Sequence, residues 1–311
     1  MNAQAACTGN SWLEMRIRLD WAYPVPRPMF PEGPLSRCRR LAQILPILIA
    51  SLGPMILPLT LRAQPALATN PDPKGILGHA HAAYYNLSSR GFKRYRFQAN
   101  PDWAYLLGDL AKTNPAAFDS AMALFGKVRF DVVVDAKGAA KVSHNNVETP
   151  NEQTKTGMNQ VYDGMDQMLT GFFQTWHPFM LQTPFSSPGK ALNLEESGDK
   201  YRVRWVEEEN IKVDILMDRT YAVSEMKVNS PVFDSVIYPV FDRQSGGLVL
   251  ASYEADYLDK SGGPKIHVKV LIKNRPIQGL ILPSDLDLTA RVGESTTHIL
   301  VAFTEASLIK D

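Results

Sequence analysis

Residues 265–273 read Lys265-Ile266-His267-Val268-Lys269-Val270-Leu271-Ile272-Lys273. Ile266, Val268, Val270 and Ile272 stand at every second position, with His267, Lys269 and Lys273 on the other phase. Successive side chains of a strand point to opposite faces, so this stretch predicts a half-buried β-strand with its apolar set inward and its lysines in water. The same alternation recurs in Tyr201, Val203 and Trp205 around Arg202 and Arg204, and in Ile211, Val213, Ile215 and Met217 around Lys212 and Asp214. Ser197-Gly198-Asp199, Asp218-Arg219, Ser245-Gly246-Gly247, Ser261-Gly262-Gly263 and Gly293 punctuate these runs as turns. About nine to eleven antiparallel strands joined by short turns are expected, and the absence of a strand–helix–strand rhythm argues against a parallel sheet. A sheet of that size must curl, and its apolar face must be covered.

Only helices are available to cover it. The spacing predicts a helix over 74–89, opened by Asp72-Pro73 and closed by Gly91, then a strand over 92–99. Two short helices are expected within 101–125, around the breaker Asn114-Pro115. A strand over 127–135 follows, turning at Ala136-Lys137-Gly138 and returning to about Val147. The longest helical pattern runs from Glu152 to Met180. Met158, Val161, Met165, Met168, Leu169, Phe172, Phe173 and Trp176 form its apolar stripe, opposite Asn159, Asp163 and Gln167. The fold class expected is therefore α+β: a strongly curved antiparallel half-barrel capped by a few amphipathic helices.

Ahead of this domain, Arg37, Arg39 and Arg40 lead into an apolar run from Leu41 to Leu61, followed by Ala66-Leu67-Ala68. A basic stretch, an apolar stretch and an A-x-A site read as a secretory signal peptide over 37–68. A retained anchor is the competing reading, because about 20 apolar residues span a bilayer, but Pro46, Pro54 and Pro58 interrupt such a helix. Cleavage after Ala68 leaves 311 − 68 = 243 residues and removes Cys7 and Cys38, the only cysteines. The mature protein then holds neither a disulfide nor a thiolate metal site. Residues 1–36 carry Pro24, Pro26, Pro28, Pro31 and Pro34 and are expected to be poorly ordered, with Met1, Met15 and Met29 all open as starts. Residues 69–311 are expected to form one domain. They hold 33 − 7 = 26 basic and 32 − 3 = 29 acidic residues, a net charge of −3, which supplies no electrostatic footprint for nucleic acid.

The order of elements resembles that of the periplasmic outer-membrane lipoprotein-carrier (LolA-like) family. Ile277-Gln278-Gly279-Leu280-Ile281-Leu282-Pro283 looks like that family's glycine–apolar–proline step before a strand, here placed at 286–292. The closing stretch 298–310, with Phe303-Thr304-Glu305-Ala306, is similar to its last strand. Val213-Asp214-Ile215-Leu216-Met217-Asp218-Arg219-Thr220-Tyr221 is similar to its paired middle strands. The resemblance implies a half-barrel whose greasy interior shields acyl chains across an aqueous compartment. It also implies a periplasmic location, membrane-bound donor and acceptor proteins, no cofactor, and a monomer. The helical piece at 101–125 departs from the pattern, and no functional residue of the family transfers one to one.

The residues offer their own support. Flexible methionines and flat aromatics suit acyl chains of varied length, and each buried methylene contributes roughly 0.8 kcal/mol. The expected cavity lining is Phe130, Val132, Met165, Met168, Phe172, Trp176, Tyr201, Val203, Trp205, Val213, Ile215, Val268 and Val270. The plainer reading of the same stripe is ordinary core packing. Gly157, Gly164 and Gly171, seven apart on the long helix, suggest close approach to the sheet, mobility, or chance spacing.

Other constellations carry little chemistry. His79-x-His81 on a helix points its rings to different sides, and His144, His177, His267 and His298 stand singly without a neighbouring Ser or Cys in a nucleophile motif. The nucleophile elbow, the zincin motif and the phosphate loop are absent. Glu207-Glu208-Glu209 reads as a solvated hairpin tip, and Asp285 with Asp287 as a solvent face. Besides the carrier, a sensor or interaction module on the same fold and an enzyme of unrecognised type remain open. An unfilled apolar cavity favours the first, a filled interior with an exposed apolar patch the second, and a cleft of perturbed polar groups the third.

Overall fold

The computed structural model describes residues 72–185, 191–207 and 210–309. The extension 1–36, the signal segment 37–68 and the cleavage site after Ala68 lie outside the described residues.

Helix α1 (Pro73–Ala82) starts where Asp72 accepts hydrogen bonds from the amides of Lys74 and Gly75, with Pro73 in the first turn. Strand β1 (Arg94–Pro101) follows, then three short helices, α2 (Trp103–Leu106), α3 (Gly108–Thr113) and α4 (Pro115–Phe125). Strands β2 (Phe130–Asp135) and β3 (Ala140–His144) form a hairpin before the 29-residue helix α5 (Glu152–Met180), whose N-terminus is capped by Asn151. The remainder is a meander: β4 (Leu192–Ser197), β5 (Lys200–Val206), β6 (Lys212–Met217), β7 (Val223–Asn229), β8 (Phe233–Gln244), β9 (Gly247–Asp259), β10 (Ile266–Ile277), β11 (Leu280–Val292) and β12 (Ser295–Ile309).

All twelve strands join one antiparallel sheet in the order β3-β2-β1-β12-β11-β10-β9-β8-β7-β6-β5-β4. The first and last strands pair, Arg94 opposite Ile309 and Pro101 opposite Val301. The β3 and β4 edges do not meet, so the sheet is an open half-barrel. Twelve strands exceed the nine to eleven expected. Both edge strands are short and largely polar, as edges that resist further pairing tend to be, and such strands carry a weak periodic signal.

The register of β10 agrees with its alternation. Val270 and Ile272 are buried, Ile266 and Val268 half-buried, and Lys269 and Lys273 exposed. His267 is half-buried on the outer face, 2.9 Å from Asp256 of β9. Other boundaries moved. Helix α1 stops at Ala82 rather than Ser89 because the chain leaves it to bond to β9: the Tyr85 amide donates to the Leu248 carbonyl and the Leu248 amide to the Ala83 carbonyl. A short 3-10 turn, Ser88–Arg90, follows. The 101–125 segment holds three helices, not two. The first strands are narrower or displaced, 94–101, 130–135 and 140–144 rather than 92–99, 127–135 and a return to 147.

At the C-terminal end, β11 begins at Leu280, not Leu286. Gln278 and Gly279 both have positive φ, 49° and 89°, the conformation of a two-residue hairpin turn. The glycine–apolar–proline step is thus the turn and first half of β11 itself. Pro283 is accommodated beside a bulge between Lys273 and Asn274, where a strand tolerates the missing N–H.

Candidate functional site

The apolar face of the sheet is covered by α5 across much of its width. At one side Tyr162 stacks on His144 of β3, with ring centroids 3.7 Å apart, and meets Phe130 of β2 at 6.1 Å. In the middle, Phe173 lies 5.7 Å from Phe97 of β1 and 6.1 Å from Phe303 of β12, while Phe97 and Phe303 stack at 4.1 Å. At the other side Phe179 meets Phe241 of β8 at 5.9 Å. Offset and edge-on aromatic pairs at these distances add to burial itself, so the helix is held along its length.

The thirteen candidate lining residues all belong to this interior or its rim. Phe130 and Val132 come from β2, and Met165, Met168, Phe172 and Trp176 from α5. Val203 and Trp205 come from β5, Val213 and Ile215 from β6, and Val270 from β10; all eleven are buried in one continuous core. Tyr201 and Val268 are half-buried against it. Tyr201 marks the rim, stacked on Tyr221 with the Arg219 guanidinium 4.2 Å above its ring.

Among the described residues the interior is filled rather than open. A void of about 30 Å³ remains where α2, α5 and β12 meet, lined by Trp103, Leu106, Val161, Gly164, Met165, Met168, Thr297 and Ile299. That is the room of about one water molecule. A larger depression of about 570 Å³, along residues 191–193 and 204–207, opens broadly to solvent at the β4 edge. Gly164 and Gly171 do not serve close approach, since a Cβ on either would meet nothing within 4 Å.

Polar groups inside this shell are few and neutral. Thr175 of α5 hydrogen bonds the Tyr257 hydroxyl of β9 at 2.8 Å. Burial pushes the phenols of Tyr253 and Tyr257 up, that of Tyr253 well up, so both stay protonated. Among the described residues, the Trp176 indole N–H is buried without an acceptor.

The histidines are dispersed. His79 stacks on Tyr221, His81 bonds Thr183, and burial lowers the pKa of His177. Among the described residues no three His, Cys, Asp or Glu side chains converge as metal ligands. Glu207 leaves the expected solvated cluster to accept from the Trp205 indole at 2.7 Å, and Glu208 and Glu209 lie outside the described residues. On the outer face Asp285 accepts from Ser284, and Asp287 pairs with His298 at 2.6 Å. The Asp287–His298 contact makes a carboxylate expected as plain solvent face one member of a hydrogen-bonded pair.

The fold and site together define a class: an open antiparallel half-barrel with a Met- and aromatic-rich helix along its apolar face. Comparison with family models, with curated proteins and with solved structures finds no match.

Proposed function

We propose that this chain is a non-enzymatic carrier or binder of lipid or lipoprotein acyl chains. In this reading it is exported to the periplasm through the 37–68 segment, works as a monomer between membrane-bound donor and acceptor proteins, and needs no cofactor. The observation that carries the reading is the way the apolar face is covered. A single helix, rather than a second sheet, covers much of it, and the helix presents Met158, Met165 and Met168 in the half that borders the void.

Because the interior is filled, an acyl chain must displace part of α5. Exposing a buried apolar side chain costs about 2 kcal/mol, so turning out five of them costs about 10 kcal/mol; about twelve buried methylenes offset that. Long chains are therefore the ligands, with the unpartnered Trp176 N–H available to an ester or carboxyl oxygen.

The test is lipid mass spectrometry on the exported, purified protein, followed by displacement of a fluorescent fatty acid with chains of graded length. Long-chain lipid is expected to co-purify. Affinity is expected to rise up to about fourfold per methylene and to vanish for chains much shorter than about twelve carbons. No co-purifying lipid together with no saturable binding at any length rejects the carrier reading. Export is tested separately by N-terminal sequencing, which should begin at Thr69; a membrane-bound product retaining residues 41–61 rejects it.

The second reading, a sensor or interaction module, is the one that a filled interior with an exposed apolar patch supports. The interior is filled, and Tyr238 and Val240 of β8 and Leu271 of β10 are exposed on the outer face. Val240 and Leu271 flank Ser252 in one cross-strand row. This reading expects no lipid in either assay.

A further inference from the structure

On the outer face, away from the interior, three side chains from three elements form a continuous hydrogen-bonded line. His298 of β12 and Asp287 of β11 point outward because their neighbours Ile299, Leu286 and Leu288 point into the core. The His298 Nε2 lies 2.6 Å from Asp287 Oδ1. Helix α2 follows β1 directly and is bonded to β12 at its start, the Asp102 amide donating to the Leu300 carbonyl. This places Tyr105 over His298, with its hydroxyl 2.6 Å from Nδ1 and the two rings edge to face at 4.9 Å.

The partners fix the protons. An ionised carboxylate only accepts, so the Nε2 facing Asp287 carries the hydrogen, and the lone pair of a neutral imidazole then sits on Nδ1. The Tyr105 hydroxyl donates to that lone pair. Hydroxyl, imidazole and carboxylate in this order are the arrangement that makes a hydroxyl nucleophilic: the imidazole takes the proton as the oxygen attacks, and the carboxylate orients the ring. Tyr105 is 49% exposed, so a reagent can reach it.

We propose that Tyr105 is an acylation site that takes acyl groups from activated donors such as aryl esters or thioesters, with His298 as its base and Asp287 as a positioning residue. The phenolic oxygen attacks the donor carbonyl carbon while its proton passes to His298 Nδ1. The bond from that carbon to the leaving oxygen or sulfur breaks, and the departing group takes the proton from the imidazolium. The products are an aryl ester on Tyr105 and a free phenol or thiol, with no change in oxidation state. This proposal is independent of the carrier reading.

The test treats the purified full chain with p-nitrophenyl acetate and follows acetylation of individual tyrosines by peptide mass spectrometry. Tyr238, 44% exposed on the same outer face, is the internal reference. Tyr105 is expected to be acetylated at least tenfold faster than Tyr238, with a pH profile that carries an imidazole titration. His298→Gln should bring Tyr105 down to the Tyr238 rate and remove that titration, and Asp287→Asn should slow Tyr105 at least tenfold without altering Tyr238. Equal rates for the two tyrosines in the unmodified protein overturn the proposal whether or not the variants fold. Variants that fold, leave Tyr238 unchanged and leave Tyr105 just as fast overturn it too.

Discussion

Phe173→Ala is expected to destabilise the protein by about 3–5 kcal/mol, the usual cost of removing a fully buried phenylalanine. Phe173 is wholly inaccessible to solvent and meets Phe97 of β1, Phe303 of β12, and Phe172 and Trp176 of its own helix. Truncation leaves a hole bounded by rigid rings on two strands and a helix, none of which can collapse without disturbing the sheet register. Urea unfolding at an unchanged slope measures the loss. A loss below about 1 kcal/mol means α5 does not rest on this face in solution.

Gly247→Ala is expected to be nearly as damaging for a different reason. Gly247 has φ of +121°, and an added Cβ would lie 2.7 Å from the Tyr84 carbonyl carbon and 2.8 Å from Ala83 O and Tyr85 N. Those are backbone atoms of the segment that bonds to Leu248, so they cannot yield without breaking the two hydrogen bonds there. Strained φ costs about 1–3 kcal/mol and each lost hydrogen bond about 1 kcal/mol, giving about 3 kcal/mol or more. Gly262→Ala supplies the contrast, since Gly262 has φ of +97° with open space around it. Thermal melting should place Gly247→Ala clearly below Gly262→Ala; equal losses would mean backbone conformation alone is responsible.

The sequence resolves best those elements whose signal is local and long. The 152–180 helix is marked by eight apolar residues in phase, and the structure reproduces both ends and adds Asn151 as its cap. The inward phase of β10 is legible for the same reason, since a one-residue slip would bury lysines. What fails depends on distant partners. Nothing in 74–89 reveals that Leu248 will draw residues 83–85 out of the helix, and residues 280–285 are hidden as strand by the proline that their bulge accommodates. Of the outer-face line, Asp287 and His298 were within reach, because the hairpin around Gly293 sets Thr289 opposite His298 and Leu300 opposite Asp287. Tyr105 was not, because it arrives from a helix nearly two hundred residues away in the chain. The thirteen lining positions follow from periodicity alone, alternation on the strands and a three- and four-residue spacing on α5. Whether they enclose space depends on how far α5 sinks into the sheet, and periodicity is silent about depth.

The pairing of the first strand with the last sets the order in which the molecule can be assembled. From β4 to β12 each strand bonds to its immediate successor, so that part can close hairpin by hairpin as it is made. Strands β1 to β3 can form only a small isolated sheet until β12 exists, because Arg94 finds its partner at Ile309. At ordinary rates of synthesis, about 5–20 residues per second, that wait lasts on the order of 10–40 s. Throughout it the β12-facing edge of β1 stands open and the ring of Phe97 lacks the cover of Phe303. The newborn chain is therefore most vulnerable to strand exchange with a neighbouring copy at its N-terminal end, and remains so until the last fifteen residues of sheet are in place.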